Sequence, residues 1–156
     1  MSEDAIRRGR ELFESGFFCA ESVLMAIAEG RGIRSELVPR IATGLCSGLA
    51  RTGGLCGAIG GAILALGTVA GRDSSDESVG PVYELVREVL DRFEAEFGST
   101  TCFGLTGCDL GTDEGQRTFR ERRQHEVCTG YVGAATRLAL EALERRRPTA
   151  GRSSGC

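Results

Sequence analysis

The chain has 156 residues, 41% hydrophobic and 26% charged, with a formal net charge of -3, a size and makeup that accommodate one globular domain and not two. All 19 basic residues are arginine, which excludes a Schiff-base lysine, a P-loop lysine and a Ser-Lys dyad. The acidic balance also argues against non-specific nucleic-acid binding, because no field attracts phosphate over the whole surface.

Every segment with a clear period reads as helix, and none shows sustained alternation of period two. Ile6, Leu12 and Phe13 predict a first helix from Ser2 that stops at Gly16. A second starts near Cys19, aligns Val23, Leu24 and Ile27, and ends at Gly30 and Gly32. Ser35 is the expected N-cap of a third, with Pro39 in its first turn. The glycine-rich connection GLCSGLARTGG then leads into CGAIGGAILALG, where Gly57 and Gly61 share a face and let another backbone approach. The stretch from Thr52 to Gly71 has no charge, but its glycines make it a buried central helix rather than a membrane span. From Pro81 to Phe97, Val82, Leu85, Val86, Val89, Leu90 and Phe93 form one apolar stripe. A loop with Cys102 and Cys108 follows, broken by Gly104, Gly107 and Gly111. An Arg-rich helix from Asp113 to about His125 and a last helix from about Val127 complete the order. The expected fold is all-α, a single compact bundle of five or six helices around the glycine-rich one, spanning residues 1–147, with a disordered tail over 148–156.

The seven cysteines are Cys19, Cys46, Cys56, Cys102, Cys108, Cys128 and Cys156. The start, MSEDAIRRGRELF, does not read as an export signal, so the expected setting is a reducing cytoplasm, where thiols are buried apolar groups, metal ligands or redox centres. Cys19, Cys56 and Cys128 fall where helices are expected to begin. Free N-H groups and the helix dipole there favour a thiolate and lower the thiol pKa. Cys102, in the loop, can turn toward those helix ends. The plain alternative is that each thiol is only a buried small hydrophobe.

Four segments carry a resemblance: GFFCAESVL around Cys19, RTGGLCGAIGGAILALG around Cys56, FEAEFGSTTCFGLTGCDL around Cys102, and HEVCTGYVGAA around Cys128. Together they resemble the C_GCAxxG_C_C redox-active protein family, and the likeness runs from about Gly16 to Leu143. The resemblance implies a helical domain, similar to the helical part of split-Soret-type cytochromes, with Cys19, Cys56, Cys102 and Cys128 as the functional thiols. No C-x-x-C-H is present, so haem attachment does not carry over. Cys46, Cys108 and Cys156 lie outside the pattern.

Three readings follow. In the first, the four thiols carry out thiol-disulfide or electron-transfer chemistry, as an oxidoreductase would, with a protein redox partner. Cys56 is then the attacking thiol, Arg51 its charge partner, and Cys108 a resolving thiol for Cys102. In the second, Cys19, Cys56, Cys102 and Cys128 hold zinc or an iron-sulfur cluster. In the third, the helices serve packing or partner binding, with a homodimer formed on the glycine-rich face. His125 reads as a solvated member of the run RERRQHE, with ligand or proton donor to Cys128 as its functional alternative. Hydrolases and nucleotide-dependent enzymes are disfavoured, since G-K-[ST], a strand-borne G-x-G-x-x-G and a Ser-His-Asp order are all missing.

Overall fold

The computed structural model describes residues 2–146, and these form an all-α structure of eight helical segments with one 3-10 turn. The expected tail and Cys156 lie outside the described residues. Helix α1, Ser2–Glu14, carries Glu3 and Asp4 at its positive end, and the chain turns at Gly16 with φ of 115°. Helix α2, Cys19–Gly30, begins with the Glu21 carboxylate accepting the Phe18 N-H at 2.9 Å. The third helix expected after Ser35 is replaced by a turn and a 3-10 segment, Arg40–Leu45. There the Ser35 hydroxyl accepts from the Leu37 N-H. This local turn competes with helix, as serine side chains commonly do.

Segment α3, Cys46–Arg51, has an unexpected hand: Ser47, Gly48, Leu49, Ala50 and Arg51 all take φ between 52° and 68°. Four of the five carry a Cβ, for which left-handed backbone costs about 1–2 kcal/mol per residue. Gly48 is the position that must be glycine, because a Cβ there would stand 2.3 Å from the Cys102 Cβ.

Helix α4, Gly57–Ala70, is the glycine-rich centre, packed against α2, against α5 (Gly80–Phe97) and against α8 (Gln124–Arg145). The face expected to admit a close neighbour does so. A Cβ on Gly61 would fall 2.3 Å from the Ala20 carbonyl oxygen, and one on Gly57 would fall 2.2 Å from the Cys19 Sγ. The α5 stripe buries Leu85, Val89 and Phe93, each adding about 1.5–3 kcal/mol, and Gly98 at φ 83° ends the helix. Helix α1 closes the bundle against α2 and α8. Among the described residues, no helix is long and apolar enough to cross a membrane.

Two boundaries differ from expectation. The glycine-broken loop contains a short helix, α6 (Cys102–Thr106), capped by the Thr101 hydroxyl accepting from the Gly104 N-H at 3.0 Å. The Arg-rich helix α7 spans only Asp113–Glu121. Arg123 then adopts φ of 53°, and α8 starts at Gln124 instead of near Val127. The expected five or six helices become eight because these short segments carry too few apolar residues to show a period.

Candidate functional site

Four separate elements deliver Cys19, Cys56, Cys102 and Cys128 to one cavity of about 180 Å³. Cys19 is the first residue of α2, Cys56 caps the N-terminus of α4, and Cys102 opens α6. Cys128 lies one turn inside α8 rather than at a helix start, since α8 begins earlier than the apolar pattern suggests.

A single antiparallel bridge, Leu55 with Thr101, joins two of these elements. The Cys56 N-H donates to the Thr100 carbonyl at 2.8 Å, and the Cys102 N-H donates to the Gly54 carbonyl at 2.7 Å. Side chains flanking a bridged pair point to the face opposite that pair. Cys56 and Cys102 therefore emerge on one face, diagonal to each other. The left-handed segment presses against this pair from the side. Its Gly48 packs on Cys102, and the Gly48 carbonyl accepts from the Gly54 N-H and the Thr52 hydroxyl, both at 3.0 Å.

The electrostatics run against the expected lowering of thiol pKa at helix starts. Burial pushes the Cys56 thiol up to about 11, although the Ala58 and Ile59 amides at the start of α4 act in the opposite direction. Burial likewise raises Cys128 to about 12, with the nearby Cys56, Cys102 and Cys108 adding to the effect. Cys102 is raised by burial too, partly offset by the Thr106 side chain. Desolvation thus outweighs the helix dipole here.

Among the described residues, the two thiols outside the pattern, Cys46 and Cys108, do not line the cavity. Cys108 is buried, donates its S-H to the Thr106 carbonyl at 3.4 Å, and lies close enough to Cys102 for their charges to interact. Cys46 is buried, donates its S-H to the Ala42 carbonyl at 3.6 Å, and lies near enough to Cys19 for the two to affect each other's ionisation.

The sequence reading did not anticipate the walls. Phe13 and Tyr131, which carry only core periodicity, line the cavity, as do Ser47 and Gly48 of the left-handed segment. Its exposed lining residues include Phe18, Arg51, Arg120 and His125, which mark the mouth. Arg51 lines the cavity, but it is not among the groups that act on the Cys56 thiol, whose expected charge partner it was. His125 is exposed, yet its ring stacks on Phe13 with centroids 4.3 Å apart and planes 11° apart, so it is a fixed part of the rim. Among the described residues, no three His, Cys, Asp or Glu side chains are grouped as a metal ion would require. The donor set as placed does not fit a preformed zinc or iron-sulfur site.

The sequence pattern of a known family, described as "Putative redox-active protein (C_GCAxxG_C_C)", matches residues 17–142. An uncharacterized protein of Archaeoglobus fulgidus is 28% identical, in an alignment covering 94% of this chain and 97% of the relative. No solved structure matches the chain significantly. A family pattern spanning most of the chain, with its four cysteines converging on one cavity, assigns the protein: it belongs to the C_GCAxxG_C_C family.

Proposed function

We propose that the cavity performs thiol-disulfide redox chemistry in a reducing cytoplasmic setting, and that Cys56 and Cys102 are its reacting pair. The observation that carries this reading is their emergence on one face of the Leu55–Thr101 bridge, inside the cavity that also receives Cys19 and Cys128. Cys102, half-buried where Cys56 is buried, takes the attacking role that the sequence suggested for Cys56 and meets the substrate disulfide first, leaving Cys56 in place of Cys108 to resolve it. Its thiolate attacks one sulfur and releases the other half as a thiolate. Cys56 then loses its proton and attacks the Cys102 sulfur, with the α4 amides stabilising its charge. The second half departs, so two protein thiols are oxidised and one substrate disulfide is reduced to two thiols. Burial raises both thiols above the ordinary range and so lowers their thiolate fraction at neutral pH, which suits a pair that reacts with a docked partner and not with every oxidant in solution.

The test is alkylation and mass spectrometry after equilibration in dithiothreitol buffers of graded redox potential, with metal content measured on anaerobically purified protein. Cys56 and Cys102 should become unavailable to alkylation together and reversibly, and Cys56→Ser should leave Cys102 alkylatable throughout. Stoichiometric iron or zinc that is lost in Cys56→Ser would overturn this reading in favour of metal ligation. Metal-free protein with all four pattern thiols unreactive would leave packing as their role.

A further inference from the structure

We propose that Cys19 and Cys46 form a second dithiol, one that closes to a disulfide at the wall of the cavity independently of Cys56 and Cys102. The family pattern contains only Cys19 of this pair, so Cys46 is a reacting residue that the pattern does not supply.

The packing around Gly57 places the two cysteines together. The missing side chain of Gly57 leaves a point that is 2.2 Å from the Cys19 Sγ and 3.2 Å from the Cys46 Cα. Both cysteines are thus packed against the same glycine, with no Cβ between them. The Cys46 thiol itself donates to the Ala42 carbonyl at 3.6 Å, and the Cys19 side chain is near enough to act on its ionisation. That influence is the first cause raising Cys46 above the ordinary thiol range, with burial second.

The two thiols also differ in access. Cys19 is half-buried and lines the cavity, whereas Cys46 is only 4% exposed and does not line it. This division suits an attacking and a resolving thiol. The Cys19 thiolate attacks a substrate disulfide, forming a mixed disulfide and releasing one thiolate. Cys46 then gives up its proton to that thiolate, attacks the Cys19 sulfur and releases the second half. Two electrons pass from the pair to the substrate, and the Cys19-Cys46 disulfide remains.

This inference rests on the redox reading only in requiring that a disulfide reach the cavity. The sequence makes it directly measurable. With arginine and no lysine in the sequence, trypsin places Cys19 on peptide 11–31, Cys46 on 41–51, Cys56 on 52–72, and Cys102 with Cys108 on 93–117. After equilibration of the full chain with oxidised glutathione, acid quench and alkylation, the cross-linked species 11–31/41–51 should appear and disappear again with dithiothreitol. In Cys46→Ala, Cys19 should instead accumulate as the glutathione mixed disulfide, with helicity by circular dichroism confirming the fold. A Cys46 that stays alkylatable while 52–72 and 93–117 cross-link would overturn this inference and leave the redox reading intact. Cross-linking of 11–31 to any other peptide would do the same. No disulfide between any peptides would overturn both.

Discussion

At the residue scale, the site depends on positions where an atom is missing as much as on the sulfurs. Gly48 combines φ of 66° with a Cβ position 2.3 Å from the Cys102 Cβ. Gly48→Ala would therefore meet both left-handed strain and a contact that no rotamer change relieves. The expected loss is about 2–4 kcal/mol of stability, read as a lower urea midpoint with an unchanged slope. A shift below about 0.5 kcal/mol would show that Cys102 can move away freely and that the segment does not brace it. The cysteine pattern itself was legible in the sequence, down to the four residues that meet in the cavity. The pKa direction was not. Helix-start position can be read from caps and glycines, but the burial that outweighs it at Cys56 depends on α2, α6 and α8, which contribute from distant parts of the chain.

At the scale of elements, legibility followed length and periodicity. The α4 and α5 helices could be placed from small-residue spacing and an apolar stripe, because each runs long enough for the period to repeat. The left-handed segment could not, since Ser47, Leu49, Ala50 and Arg51 have no local preference for positive φ and are held there by tertiary contacts. The division of α7 from α8 was hidden for a related reason: Arg122 and Arg123 interrupt a run of charges that carries no period. The α2-α4 contact is where an element-level prediction belongs. A methyl added at Gly61 would fall 2.3 Å from the Ala20 carbonyl oxygen, and both helices are fixed by backbone. Gly61→Ala should separate them and cost about 2 kcal/mol or more. Thermal denaturation would register this, together with faster alkylation of Cys19, which adjoins Ala20. An unshifted melting temperature would mean that the helices are not in close backbone contact.

At the scale of the whole molecule, the buried thiols link stability to pH. An unfolded chain releases thiol protons near the ordinary value of 9.0, whereas the folded chain holds those of Cys56 and Cys128 to about 11 and about 12. Between these limits the native state binds more protons than the unfolded state, so stability must fall as pH rises. The contribution is complete below about pH 8 and is lost through the alkaline range, at up to about 1.4 kcal/mol per pH unit for each thiol. Melting temperatures measured under reducing conditions should decline between about pH 9 and 11, and Cys56→Ala with Cys128→Ala should flatten that decline. A flat profile in the unsubstituted protein would contradict the burial of these thiols.

The stack of Phe13 on His125 has a consequence for synthesis. It joins the end of α1 to the start of α8, which is made after every other element that lines the site. Cys19, Cys46 and Cys56 therefore emerge well before the helix that brings Cys128 to them. Until α8 docks, those thiols have no enclosing wall and are open to any oxidant. Docking of α8 is thus the event that both assembles the site and restricts access to it.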